Sequence, residues 1–203
     1  IILAIKPIDL KNVLEEISTI KIKSQPNLIS IVAGKKIKDI EKKLPNINNI
    51  FRIMPNISAS IGESMNCIIA NKKVSAAKKN EVHKLFSFSG KSIFLKNEDQ
   101  IDMATAISGS GPGFIFNLID AMEKAAENLG FEKNVAKTLV HQTFKGSINM
   151  LLKNNFTAEE LVKQVATKGG TTEAGLKIMK KNKIHQVFKN LSKASYKRAR
   201  GKR

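Results

Sequence analysis

"NLISIVAGKKIKDIEKKLPNINNIFRIMPN", residues 27–56, decides the fold. It opens with a nearly unbroken apolar run, "NLISIVAG", that stops at Gly34. A run this short and this apolar suits a strand buried on both faces. "KKIKDIEKKL" then reads as a basic amphipathic helix closed by Pro45, because proline cannot continue a helix. "NIFRIMPN" returns to strand character and ends at Pro55. Strand, helix and strand at this spacing form an α/β unit, and successive units of this kind build a mostly parallel sheet.

The pattern extends in both directions. "IILAI" at the start is another short apolar run, stopped by Lys6-Pro7. "DLKNVLEEISTI" follows, with Asp9 placed to cap a helix whose apolar face carries Leu10, Val13, Leu14 and Ile17. Downstream, "MNCIIAN" reads as a strand, "SAAKKNEVHKLFSF" as a helix and "SIFLK" as a last strand. Near Asn97 the character changes, and only helices follow. "FIFNLIDAMEKAAENLG" ends on Gly130, a residue suited to the left-handed position after a helix. "TAEELVKQVA" begins with Thr157 and Glu160 in the spacing of a capping box. The expected division is therefore an α/β domain over 1–96 and an all-α domain over 97–203.

Composition narrows the class. The chain has 203 residues, enough for one domain with a full core or for two small ones. No apolar run approaches the roughly 18 residues of a membrane helix. A single cysteine, Cys67, excludes an intrachain disulfide and favours a reduced, cytosolic compartment. The histidines (His83, His141 and His185) are far apart and form no metal motif. The net charge of +18 raises nucleic acid as a partner, yet the only arginines are Arg52, Arg198, Arg200 and Arg203. Arginine is the residue that reads phosphates and guanine edges bidentately. The lysines are spread along the whole chain, and aromatic residues, at 5%, are scarce as stacking platforms. Nucleic acid is disfavoured, and the basic tail "YKRARGKR" is expected to be a solvated helix end.

Two glycine-rich stretches remain. "SGSGPGF", Ser108–Phe114, lacks the G-x-G-x-x-G spacing of a dinucleotide fingerprint and follows a helix instead of a strand. It reads as a tight turn between helices, with Pro112 in the first turn of the second. "VATKGGTTEAG", Val165–Gly175, is less ordinary. Gly169 and Gly170 expose backbone N–H groups just before a helix that begins near Thr171 or Thr172, where free N–H groups and the helix dipole attract anions. Thr167, Thr171 and Thr172 add hydroxyls. Taken alone, the stretch is equally well a Gly-rich turn with threonine caps. In open α/β sheets ligands bind beyond the C-terminal ends of the strands, which here are Lys6-Pro7, Ala33-Gly34 and Met54-Pro55-Asn56.

"LAIKP", "VAGKKI", "RIMPNISASIGE", "AISGSGPGFIF" and "ATKGGTTEAGL" occur in an order and spacing that resemble the pyrroline-5-carboxylate reductase family over essentially the whole chain. The resemblance implies a Rossmann-type domain binding NADPH or NADH. It also implies a helical dimerisation domain, in homodimers that assemble further into decamers. It implies reduction of 1-pyrroline-5-carboxylate to L-proline. The loop Thr167, Gly169, Gly170, Thr171 and Thr172 would hold the substrate carboxylate on backbone amides. Thr172 matches the family threonine that hydrogen-bonds the ring nitrogen and is the candidate catalytic residue. Lys6, Pro7, Met54 and Asn56 match cofactor-binding positions on the nicotinamide side.

The sequence also departs from the family pattern. Thr167-Lys168 stands where the family carries Ser-Pro, which keeps a hydroxyl, loses rigidity and adds a cation. Ile57-Ser58 replaces Thr-Pro. The opening βαβ region with its glycine-rich turn is missing, roughly 60 residues at about 30 per unit. The Rossmann-type domain is thus expected to be incomplete. "IILAI" would then be an exposed apolar edge, prone to aggregation, and dinucleotide binding and activity in the chain as given would be weakened or lost. The alternative reading is a non-catalytic, oligomerising remnant of the reductase.

Overall fold

The structure is a computed structural model and describes residues 1–201. In its first part strands and helices alternate: β1 (Ile2–Leu3), α1 (Leu10–Thr19), β2 (Asn27–Ser30), α2 (Ile37–Lys43), β3 (Asn49–Met54), β4 (Ser64–Ala70), α3 (Ala76–Ser87) and β5 (Gly90–Phe94). Helices then follow one another: α4 (Glu98–Ala104), α5 (Gly111–Asn128), α6 (Lys133–Lys153), α7 (Ala158–Val165), α8 (Thr171–Lys181) and α9 (Ile184–Ala199). The α/β-then-α order matches the expectation. Division by packing differs from division by secondary structure. One compact unit takes in Ile1–Pro112 and the chain from Ser192 onward, and the other is Gly113–Leu191. The expected boundary at residue 97 follows the last strand. The packed boundary comes later because α4 buries Ile101 in the sheet's core cluster.

The five strands lie in the order β1-β2-β3-β4-β5. The first three are parallel, β4 runs antiparallel to β3, and β5 is parallel to β4. Connection length explains the reversal. Between β3 and β4 there is only a short 3₁₀ turn, Ile57–Ile61, too brief for a crossover, whereas α3 links β4 to β5. Side chains alternate across the sheet. Leu28, Ile50, Cys67 and Ile69 join Leu10, Leu14, Ile37, Ile40 and Ile101 on one face. Ile29, Phe51, Ile53 and Ile68 pack with Val82 of α3 on the other. Both faces are therefore covered, as the apolar runs require. β1 pairs with β2 alone among the described residues, and Ile1 and Ile2 remain 45% and 53% exposed, an apolar edge as expected.

Two local details differ from the sequence reading. Asp9 occupies the N-cap position of α1, but its side chain makes no capping hydrogen bond; its carbonyl accepts from Val13 N at 3.1 Å. The stretch before Pro112 is a π-helical turn, Thr105–Gly109, that runs from α4 towards α5 instead of a tight turn between separate helices. Close packing explains the glycine there, since a Cβ on Gly109 would stand 3.0 Å from Met54 Cε.

The unit Gly113–Leu191 is all helix. Gly130 adopts φ 102° after α5, and Thr157 and Glu160 form the expected capping box on α7. Among its apolar side chains only Ala136 and Val140 are buried. Phe116, Leu129, Ile148, Leu152 and Ile178 are all exposed. A helical unit with so little buried apolar surface must cover those faces with something else.

Candidate active site

The first unit carries a cleft beyond the C-terminal ends of β1 and β2, where ligands of open α/β sheets bind. Its volume is about 870 Å³, and Pro7, Ala33, Gly34, Asp102 and Thr105 form much of its wall. Gly34, at φ 70°, lets the chain turn sharply after β2. The opposite wall is the end of α9, including Arg198 and Arg200. Lys197, Arg198 and Arg200 are exposed, as expected of a solvated helix end, while Tyr196 anchors that end to α4. Tyr196 Oη donates to Asp99 Oδ1 at 2.6 Å, and Arg200 lies 3.6 Å from the same carboxylate with its guanidinium 5.4 Å from the Tyr196 ring centre. Accepting that hydrogen bond, Asp99 raises the Tyr196 hydroxyl above its usual pKa.

Behind the cleft sits an ion cluster that sequence reading missed. Arg52, 3% exposed in β3, pairs with Glu98 through Nη1 and with Asp102 through Nη2, the latter at 3.0 Å. Glu98 also accepts Ile37 N at 2.7 Å, so one carboxylate ties β3 to the N-terminus of α2. The available signal was a lone arginine inside the apolar strand "NIFRIM". A buried cation needs partners, and carboxylates spaced i, i+4 on α4 supply them.

Of the sequence-predicted cofactor residues, Pro7 lines the cleft. Lys6 O accepts Asp9 N at 3.0 Å and starts α1. Met54 is in van der Waals reach of Gly109. Asn56 bonds on both sides of its amide: its Oδ1 accepts Ser58 N at 3.1 Å and its Nδ2 donates to Ser108 O at 3.0 Å. Met54 and Asn56 therefore meet the "SGSGP" stretch directly. Cys67, buried beside Ser108, has its thiol pushed up by desolvation.

The second unit brings Thr167, Gly169, Gly170, Thr171 and Thr172 together at the head of α8. Gly170 is the N-cap, and Gly170 N donates to Thr167 O at 3.0 Å. Gly169 takes φ 76°, a left-handed value that favours glycine. Its N–H donates to Glu173 Oε2 at 2.8 Å. The first i→i−4 bond of the helix is Ala174 N to Gly170 O, so the N–H groups of Thr171, Thr172 and Glu173 precede the ladder. Thr167, Thr171 and Thr172 are exposed. Exposed hydroxyls and first-turn N–H groups that precede the ladder thus stand together at this helix end, with the Glu173 carboxylate already on the Gly169 N–H.

The likeness to known proteins is extensive. Residues 98–202 match the family described as "Pyrroline-5-carboxylate reductase dimerisation". A pyrroline-5-carboxylate reductase of Staphylococcus haemolyticus is 33% identical over 199 residues, 98% of this chain and 73% of the relative. The solved structure of a reductase from Coxiella burnetii superposes with a TM-score of 0.91 at 34% identity, covering 98% of this chain and 74% of that one. That of the Plasmodium falciparum enzyme, solved with NADP bound, gives 0.91 at 31% identity over 98% and 75%. The likeness spans both units and favours the reductase over a non-catalytic remnant. The chain belongs to the pyrroline-5-carboxylate reductase family.

Proposed function

We propose that the protein reduces 1-pyrroline-5-carboxylate to L-proline, with NADPH or NADH as the electron source. One observation carries this reading above all: the family likeness runs unbroken through both the strand-end cleft and the glycine loop at the head of α8. The substrate would be held by its carboxylate, on the first-turn N–H groups of α8 beside Gly169 and Gly170. Thr167 and Thr171 add hydroxyl donors, and Lys168 adds a cation next to the same anion.

The cleft fits a dinucleotide in its chemistry. Its wall combines the apolar ring of Pro7 and the bare backbone of Ala33-Gly34 with the cationic Lys35 and Lys36. Lys6, Pro7, Met54 and Asn56 belong to the cofactor side, Met54 and Asn56 by fixing the Ser108–Gly109 backbone. When bound there, a reduced nicotinamide supplies a hydride to the C=N carbon of the substrate. The ring nitrogen must gain a proton in the same reaction. Thr172 faces that nitrogen on this reading, but an alcohol is a poor acid near neutral pH, so its hydroxyl orients the ring or relays a proton through water.

The dimer is the expected working unit, because the exposed helical faces of Gly113–Leu191 need a partner, and five dimers form the further assembly. The lone buried thiol suits a reducing, cytoplasmic setting. The test is direct. The intact native polypeptide, supplied with pyrroline-5-carboxylate, should oxidise NADPH and yield proline. A folded, dimeric protein that oxidises none would sink the proposal.

A further inference from the structure

The basic tail is the sequence feature that the reductase reading leaves unused. Among 35 lysines and arginines only four are arginine, and three of these, Arg198, Arg200 and Arg203, fall within the last six residues. Arg52, the fourth, forms the buried ion cluster. Arg52 uses both arms of its planar guanidinium, one on each carboxylate, which a lysine could not do. Arg198 and Arg200 both line the strand-end cleft, opposite Pro7 and Gly34.

Charge accounting favours an anion there. The ionisable groups on the cleft wall are Lys35, Lys36, Arg198, Arg200 and Asp102. Asp102 is already paired with Arg52, and Arg200 shares Asp99 with Tyr196. Lys35, Lys36 and Arg198 form no ion pair among the described residues, which leaves the cleft positive. The arginine arm is also fixed in place. Arg200 Nη1 lies 3.3 Å from Tyr196 Oη, and Tyr196 is held by Asp99, so the last turn of α9 is tied to the start of α4.

We propose that Arg198, supported by the Tyr196–Asp99–Arg200 cluster, binds a phosphate of the dinucleotide from the C-terminal side of the cleft. The inference rests on the reductase reading for the identity of the ligand. Arg198 supplies a guanidinium fork to the phosphate oxygens, and Arg200 and Tyr196 position the helix end that carries it.

The experiment is a fluorescence titration of the intact native polypeptide with NADPH, alongside inorganic pyrophosphate as a competitor and double-stranded DNA as a second ligand. Arg198→Gln should weaken NADPH binding about tenfold or more, as loss of a charge-assisted hydrogen bond does, and should weaken pyrophosphate competition in parallel. Arg198→Lys should recover only part, since it restores charge without the fork. Tyr196→Phe should lower NADPH affinity less than Arg198→Gln. The KM for pyrroline-5-carboxylate at saturating NADPH should stay unchanged. Arg198 makes no side-chain hydrogen bond among the described residues, so its variants should keep the wild-type melting temperature. Wild-type NADPH affinity in Arg198→Gln would overturn the proposal. So would a variant that loses only DNA binding. Failure of the reductase reading looks different: NADPH binds, but pyrroline-5-carboxylate is not turned over, and the effect of Arg198 on binding can still be read.

Discussion

Replacing Gly170 by alanine tests the glycine loop at the atom level. The backbone there, φ −80° and ψ 168°, is open to any residue, so conformation alone predicts no penalty. Space predicts one. A Cβ would stand 2.6 Å from Thr167 Oγ1 and 3.1 Å from Thr167 O. The hydroxyl is exposed and can rotate away, but it then leaves its place beside Gly170. The carbonyl cannot retreat freely, because it accepts Gly170 N at 3.0 Å. Overpacking of this kind costs about 1–3 kcal/mol. With the loop holding the substrate carboxylate as proposed, that raises KM for pyrroline-5-carboxylate roughly five- to 150-fold at little change in NADPH affinity. In a Thr167→Ala background the 2.6 Å clash is gone, so Gly170→Ala should cost less, with a coupling of about 1 kcal/mol. Gly169 provides the control. Nothing lies within 4 Å of its Cβ position, but its φ of 76° costs an alanine about 1–2 kcal/mol regardless of Thr167. Gly169→Ala should therefore add to Thr167→Ala without coupling. The assay is NADPH oxidation across substrate concentrations, with thermal melts to confirm the fold. A wild-type KM for Gly170→Ala, or the same coupling at Gly169, would refute the steric account.

Other perturbations follow from the same geometry. Arg52→Met strands Asp102 in the core and should cost about 3–5 kcal/mol in urea unfolding, whereas Arg52→Met combined with Glu98→Gln and Asp102→Leu should recover much of it. Glu160 is held below the usual carboxylate range by the Thr157 N–H and hydroxyl. A depressed folded pKa means that the capping contribution is full above the unfolded value and is lost as pH falls through the folded one. The urea midpoints of wild type and Glu160→Gln should thus differ at neutral pH and converge in acid. Cys67, buried and with its thiol pushed up, should resist thiol reagents at neutral pH until urea unfolds the sheet; rapid labelling of native protein would contradict its placement. Phe116→Asp puts a charge on an exposed apolar face of the helical unit and should lower the mass seen by light scattering towards that of a monomer.

What was legible in the sequence follows from the range of each interaction. "NLISIVAG" and "NIFRIMPN" could be read as strands because burial on both faces writes itself into consecutive residues, and Leu28/Ile29 and Ile50/Phe51 do divide between the two faces. The Thr157–Glu160 box and the left-handed Gly130 were legible for the same reason, since each is complete within a few residues. The reversal of β4 was nearly so: the five-residue turn Ile57–Ile61 is too short to cross over, and its length alone implies an antiparallel return. The ion cluster and the cleft's far wall belong to another class. Arg52 meets carboxylates 46 and 50 positions away, and Tyr196 meets Asp99 across 97. No local periodicity encodes such contacts; only the chemistry of the residue hints at them. A charge inside an apolar strand must be paired, and arginine in a lysine-rich chain marks a place where geometry matters as well as charge. Read from the sequence alone, "YKRARGKR" was only a solvated helix end, because nothing within it points to Asp99. The hydrogen bond from Tyr196 to Asp99, across 97 positions, is what brings Arg198 and Arg200 to the cleft wall.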